Sequence, residues 1–158
     1  MDVRRLTAGE GERIRDLRLR ALKDAPYAFS SSFERERDRG ADAWEELAAG
    51  GVVFVAVEDD DWLGMVGAFL PEHAPEAVGI WGTWIDPDAR GRGIGRRLME
   101  AAIDWARSRG AVRVDLSVTD QANEARLLYE RLGFTPTGER EPLASDPTRI
   151  EIFMTRPI

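Results

Sequence analysis

Apolar residues change their spacing along the chain, and the spacing predicts alternating strands and helices. Val3 to Leu6 reads as a short first strand. Thr7-Ala8-Gly9-Glu10 then fits a capping box, with Ile14, Leu17 and Ala21 following at helical spacing to about Lys23. Asp24-Ala25-Pro26 breaks that helix. The serine- and aromatic-rich stretch Tyr27 to Phe33 leads to a second helical region, clearest from Asp42 to Ala49 and closed by Gly50-Gly51. Val52 to Val57 and Trp62 to Leu70 flank the acidic turn Glu58 to Asp61, the pattern of a β-hairpin.

After the Pro71 to Pro75 loop, Val78 to Ile85 forms another strand, with Gly79 and Gly82 inside it. Such glycines mark a bulge or a close approach of backbone or ligand. Ile94, Leu98, Ala101, Ala102 and Trp105 define a helix that ends at Arg107, Arg109 and Gly110, and Ala111 to Val118 is the next strand. The strand-helix-strand unit from Val78 to Val118 should be a right-handed crossover joining parallel strands. Ala125, Leu128, Tyr129 and Leu132 give a last helical face, stopped by Gly133, before strands around Phe134 and from Ile150 to Thr155. The order βααβββαβαββ, without repeat or linker, predicts a single mixed-sheet α/β domain over residues 1–158.

Composition narrows the chemistry. The chain has 158 residues, 43% hydrophobic and 32% charged, and no apolar run near the roughly 18 residues of a membrane span. Met1 to Arg5 lead directly into an amphipathic segment without signal-peptide character, so a cytoplasmic protein with no membrane partner is expected. There is no cysteine and one histidine, His73, which argues against clustered metal sites and a cysteine nucleophile. A net charge of -7 disfavours nucleic acid. Arg90, Arg92, Arg96 and Arg97 nevertheless cluster within eight positions, which suggests a small anionic ligand.

These arginines belong to Trp84-Ile85-Asp86-Pro87-Asp88-Ala89-Arg90-Gly91-Arg92-Gly93-Ile94-Gly95-Arg96-Arg97, where a strand turns into a helix. Three alternate glycines let backbone approach a ligand, first-turn N–H groups have no internal partner, and the helix dipole favours a pyrophosphate there. A Walker A loop would need Gly-Lys-Ser/Thr where Gly95-Arg96-Arg97 stands. A Rossmann fingerprint would need glycine at Arg96, and Asp115, the one acid at suitable distance, falls in mid-strand. The bland alternative is an ordinary glycine-rich strand-helix turn.

Arg90-Gly91-Arg92-Gly93-Ile94-Gly95, Asn123 and Leu128-Tyr129-Glu130-Arg131-Leu132-Gly133-Phe134 together resemble the GCN5-related N-acetyltransferases, in which Gln/Arg-x-x-Gly-x-Gly/Ala binds acyl-coenzyme A. The resemblance covers about Val78 to Phe134 by motif and the rest by element order. It implies an α/β fold with a mixed, mostly antiparallel central sheet, helices on both faces and a splayed parallel strand pair. It also implies direct transfer of acetyl from acetyl-CoA, as co-substrate and without metal, to a primary amine of a small molecule or peptide.

Residue by residue, the resemblance assigns Arg90 to Arg96 to the pyrophosphate and Trp84 and Ile85 to the pantetheine arm and thioester. Asn123 falls to the coenzyme arm, with helix capping as the alternative, and Tyr129 becomes the general acid unless it only packs in the core. The base stays unassigned among Glu76, Asp86 and His73, and Arg126 and Arg131 read as solvated helix charges. Tyr27 to Phe33 and Glu139 to Arg149 would form the acceptor side, where the acidic surface favours a cationic amine. A homodimer is compatible with the resemblance. The rival reading is a non-catalytic acyl-CoA-binding or regulatory domain of the same fold.

Overall fold

The computed structural model describes residues 1–158. Strand β1 (Asp2–Arg5) precedes helix α1 (Gly11–Asp24), a 3-10 turn at Pro26–Ala28, and helices α2 (Phe33–Arg37) and α3 (Ala41–Gly50). The meander β2 (Val52–Glu58), β3 (Asp61–Phe69) and β4 (Ala77–Ile85) follows. A second 3-10 turn at Pro87–Ala89 then leads to helix α4 (Ile94–Ser108), β5 (Arg113–Thr119), helix α5 (Asn123–Arg131), β6 (Thr135–Leu143) and β7 (Asp146–Pro157). The predicted order holds, with α2 added as a short separate helix.

The expected capping box is half made. The Thr7 N–H donates to Glu10 Oε2 at 2.8 Å, but α1 begins only at Gly11. The N–H groups of Gly9 and Gly11 are instead taken by the Glu45 carboxylate of α3, at 2.6 and 3.1 Å. A distant side chain thus satisfies the orphan donors of the helix start.

The seven strands form one sheet in the order β1-β2-β3-β4-β5-β7-β6, antiparallel except for β4 and β5. One face carries the core built on α4, with Leu98, Met99, Ala102 and Ile103 against Val66, Val78, Val114 and Met154. The other face carries α1 and α3, with Ile14, Leu17 and Trp44 over Val53, Val55 and Met65. No helix is long and apolar enough to cross a membrane.

Candidate functional site

The strand alternation of β4 is interrupted at Gly82. Val78 and Ile80 face the α4 core, whereas Trp84 belongs to the α1 core. One extra residue on β4 between the pairs Met65↔Trp84 and Gly67↔Trp81 causes the switch, and Gly82 supplies a positive φ of 67°. The parallel pairing of β4 with β5 stops at Gly79↔Asp115. Beyond it, the β5-facing edge of β4 has no strand partner while β5 stays paired to β7 through Thr119. The two strands splay, and a cleft of about 730 Å3 opens there, running from the α4 N-terminus to Phe29 on the loop after α1.

At the mouth of the cleft, Gly91 and Gly93 both adopt φ of 77°, in the left-handed region where a side chain is strained. Gly95 serves differently. A Cβ there would lie 3.0 Å from Leu128 Cδ2 and 3.1 Å from Ile85 Cδ1, so its absence lets α4 start tight against β4 and α5. Gly93 is the N-cap without a side-chain bond, and the first helical bond joins Arg97 N–H to the Gly93 carbonyl. The N–H groups of Ile94, Gly95 and Arg96 therefore have no protein partner. They are free to bind an anion, with the positive end of the helix dipole behind them.

The arginine cluster divides. Arg90 and Arg96 line the cleft. Arg90 donates to the Ile85 carbonyl at 3.0 Å and to Asp24 at 2.9 Å, and Asp24 also accepts from Trp84 Nε1 at 3.0 Å. Arg96 pairs with Glu100 one turn along α4. Arg92 turns away to Glu58 at 2.6 Å, and Arg97 donates to the Met1 carbonyl. Arg131, read from sequence as a solvated helix charge, lines the cleft without a carboxylate partner.

Of the other residues singled out, Trp84, Ile85, Gly91, Gly93, Ile94, Gly95 and Asn123 line the cleft. Asn123 is the first residue of α5, the cap is Ala122, and no side chain caps the helix, so Asn123 is not a capping residue. Tyr129 does not line the cleft. It is 5% exposed in the α4 core, edge-on to Phe134 at 6.0 Å, and burial pushes its phenol above the ordinary value. Thr83 of β4 lines the cleft. Sequence inspection did not single out Thr83, which became visible only when the bulge turned it toward α4, within 3.8 Å of Met99 Sδ.

Glu76 sits at the far end of β4, paired to Arg113 at 2.7 Å. Its own backbone N–H and Arg113 hold its carboxyl below the usual range. It does not reach the cleft. Asp86 caps the 3-10 turn by accepting the Asp88 N–H at 2.9 Å, and it pairs with Arg20. The acid that lines the cleft is Glu124. No group of His, Asp and Glu is arranged to hold a metal ion.

Residues 14–134 match the family model described as Acetyltransferase (GNAT) family. A mycothiol acetyltransferase of Beutenbergia cavernae is 34% identical over 122 residues, covering 76% of this chain and 39% of that protein. The 5-NmdU N-acetyltransferase of Pseudomonas phage PaMx11 is 35% identical over 89 residues, covering 56% and 61%. The chain thus spans about two fifths of the mycothiol acetyltransferase it matches. Among solved structures, a GNAT-family acetyltransferase from Streptococcus pneumoniae superposes with a TM-score of 0.82 at 19% identity, covering 99% and 98% of the two chains. A Salmonella typhimurium structure determined with its cofactor acetyl-CoA gives 0.79 at 21%, covering 99% and 93%. At such identities the likeness concerns the fold.

Proposed function

This chain belongs to the GNAT family of acetyltransferases, and we propose that it transfers the acetyl group of acetyl-CoA directly to a primary amine of a small molecule or peptide. The observation that carries the reading is the uncapped first turn of α4 at the mouth of a cleft that continues into the gap between β4 and β5. The diphosphate is assigned to the N–H groups of Gly93 to Arg96, and the unpaired Arg131 and the cleft-lining Arg96 add charge beside it. Asn123 and the unpartnered edge of β4 at Trp84 and Ile85 hold the arm. A backbone N–H on that edge would stabilise the oxyanion.

In the reaction the neutral amine attacks the thioester carbonyl carbon, a C–N bond forms, and the C–S bond breaks. The ammonium proton leaves to water or a nearby acceptor, and the coenzyme thiolate takes a proton. Tyr129 is the assigned donor. Burial raises its titration and keeps the phenol protonated across the physiological range. The buried position of Tyr129 supports the second reading, a domain that binds acyl-CoA without catalysis.

Thiol release from acetyl-CoA across a panel of amines, amino acids, polyamines and peptides, together with calorimetric binding, separates the two. Binding with amine-dependent release supports transfer. Binding without release on any amine supports the second reading, and absence of binding refutes both.

A further inference from the structure

Resting on that reading, we infer that the acceptor amine carries a carboxylate, and that Arg18 binds it from the face of the sheet opposite α4. Arg18 lies on α1, is 6% exposed, and gives Nε and Nη2 to the Glu36 carboxylate of α2 at 2.9 and 3.0 Å. Phe29 and Trp81 flank its guanidinium at 4.6 and 5.4 Å. Nη1 is buried and has no hydrogen-bond partner. Two of the five guanidinium N–H groups sit on that atom, and buried donors left unpaired are rare because they are costly. Pinning α2 to α1 accounts for Nε and Nη2 but leaves Nη1 without a task.

The position of Nη1 gives it one. It lies 3.2 Å from where a Cβ on Gly82 would stand, against the bulge at which β4 leaves β5 and next to Thr83 and Trp84 of the cleft wall. The Phe29 ring, which stacks on the guanidinium, lines the cleft whereas Arg18 does not, so a carboxylate reaches Nη1 from the cleft by turning that ring aside. The neighbouring cleft residues Ala25 and Ala28 carry no charge that could hold a second ammonium group.

Charge points the same way. The half-exposed Arg39 also approaches Glu36, at 3.7 Å, so two guanidinium groups flank this one carboxylate in a chain of net charge -7. A carboxylate held on Nη1 completes the fork. The whole-surface acidity that favours a cationic acceptor acts at long range and is overruled locally by the guanidinium.

The test uses glycine, β-alanine and γ-aminobutyrate, each paired with its carboxamide. Binding to the CoA-saturated protein is measured by calorimetry, and thiol release from acetyl-CoA is compared after correction for the neutral-amine fraction. At least one acid should bind about tenfold or more tightly than its amide, the scale of a charge-assisted hydrogen bond. In Arg18→Met/Glu36→Leu, which removes both partners and leaves no charge stranded, that ratio should fall to near one with acetyl-CoA affinity unchanged. Amides that bind as well as acids in the wild type overturn the proposal. So does a double variant that keeps the preference, or no binding of any pair at millimolar concentration. Acid preference without thiol release from these acids or from the wider amine panel upholds the carboxylate site and refutes transfer, whereas release with amide preference refutes the site and upholds transfer.

Discussion

Gly93→Ala separates the conformational role of the loop from simple packing. Gly93 sits at φ of 77°, and a Cβ there would meet no atom within 4 Å, so the substitution introduces backbone strain without a clash. A non-glycine residue in the left-handed region costs about 1–2 kcal/mol. If the loop keeps its shape, that cost appears as lost stability, a fall in Tm of about 2–4 °C per kcal/mol for a chain of this length. If the loop relaxes when unliganded, the same cost appears on binding, as a factor of about 5–30 in the dissociation constant for acetyl-CoA. Thermal melts and calorimetry on one sample measure both parts, and their sum should approach the full strain. Gly93→Asn, which tolerates this backbone region better, should recover most of the loss. An alanine variant with unchanged Tm and unchanged affinity would falsify the assignment of this loop conformation to binding.

Tyr129→Phe should lower turnover at least tenfold while leaving acetyl-CoA affinity intact, since it removes a proton donor and no coenzyme contact. Equal turnover in a steady-state assay removes Tyr129 from the mechanism. The same phenol titrates above its ordinary value because of burial. Its contribution to stability is complete below the unfolded value near pH 10 and is lost as pH rises through the higher folded value. Melts above about pH 10 should therefore fall less steeply in Tyr129→Phe than in the wild type. Asn123→Ala should change stability by less than about 0.5 kcal/mol, because the side chain caps nothing, and should weaken acetyl-CoA binding severalfold by calorimetry. Gly64→Ala places a Cβ 2.7 Å from the Trp84 carbonyl, so it should cost about 1–3 kcal/mol in denaturant titrations and disturb the cleft wall.

Most of the fold was legible because amphipathic spacing is a local property. The spacing of Ile94, Leu98 and Ala102 on α4 defines the face that the core buries, and the alternating glycines after β4 announced the loop before any contact was known. Gly79 and Gly82 inside β4 mark points of close approach. The Phe69 ring indeed occupies the place of a Gly79 side chain, and Gly82 makes the bulge. Strand β6 is faint in the sequence for the converse reason. Its residues are exposed except Leu143, and Pro136, Gly138 and Pro142 interrupt it, so pairing with β7 rather than any internal pattern makes it a strand.

The chain by itself determined the elements, their order and the anion-binding turn, because each depends on residues a few positions apart. Only the tertiary structure decided which arginines face the cleft, since Glu58 and the Met1 carbonyl, remote in sequence, draw Arg92 and Arg97 away. It alone set Thr83 in the cleft wall and buried Arg18 against Glu36 with one nitrogen free. Periodicity marks which face a side chain takes, whereas the partner it meets there depends on how distant segments pack.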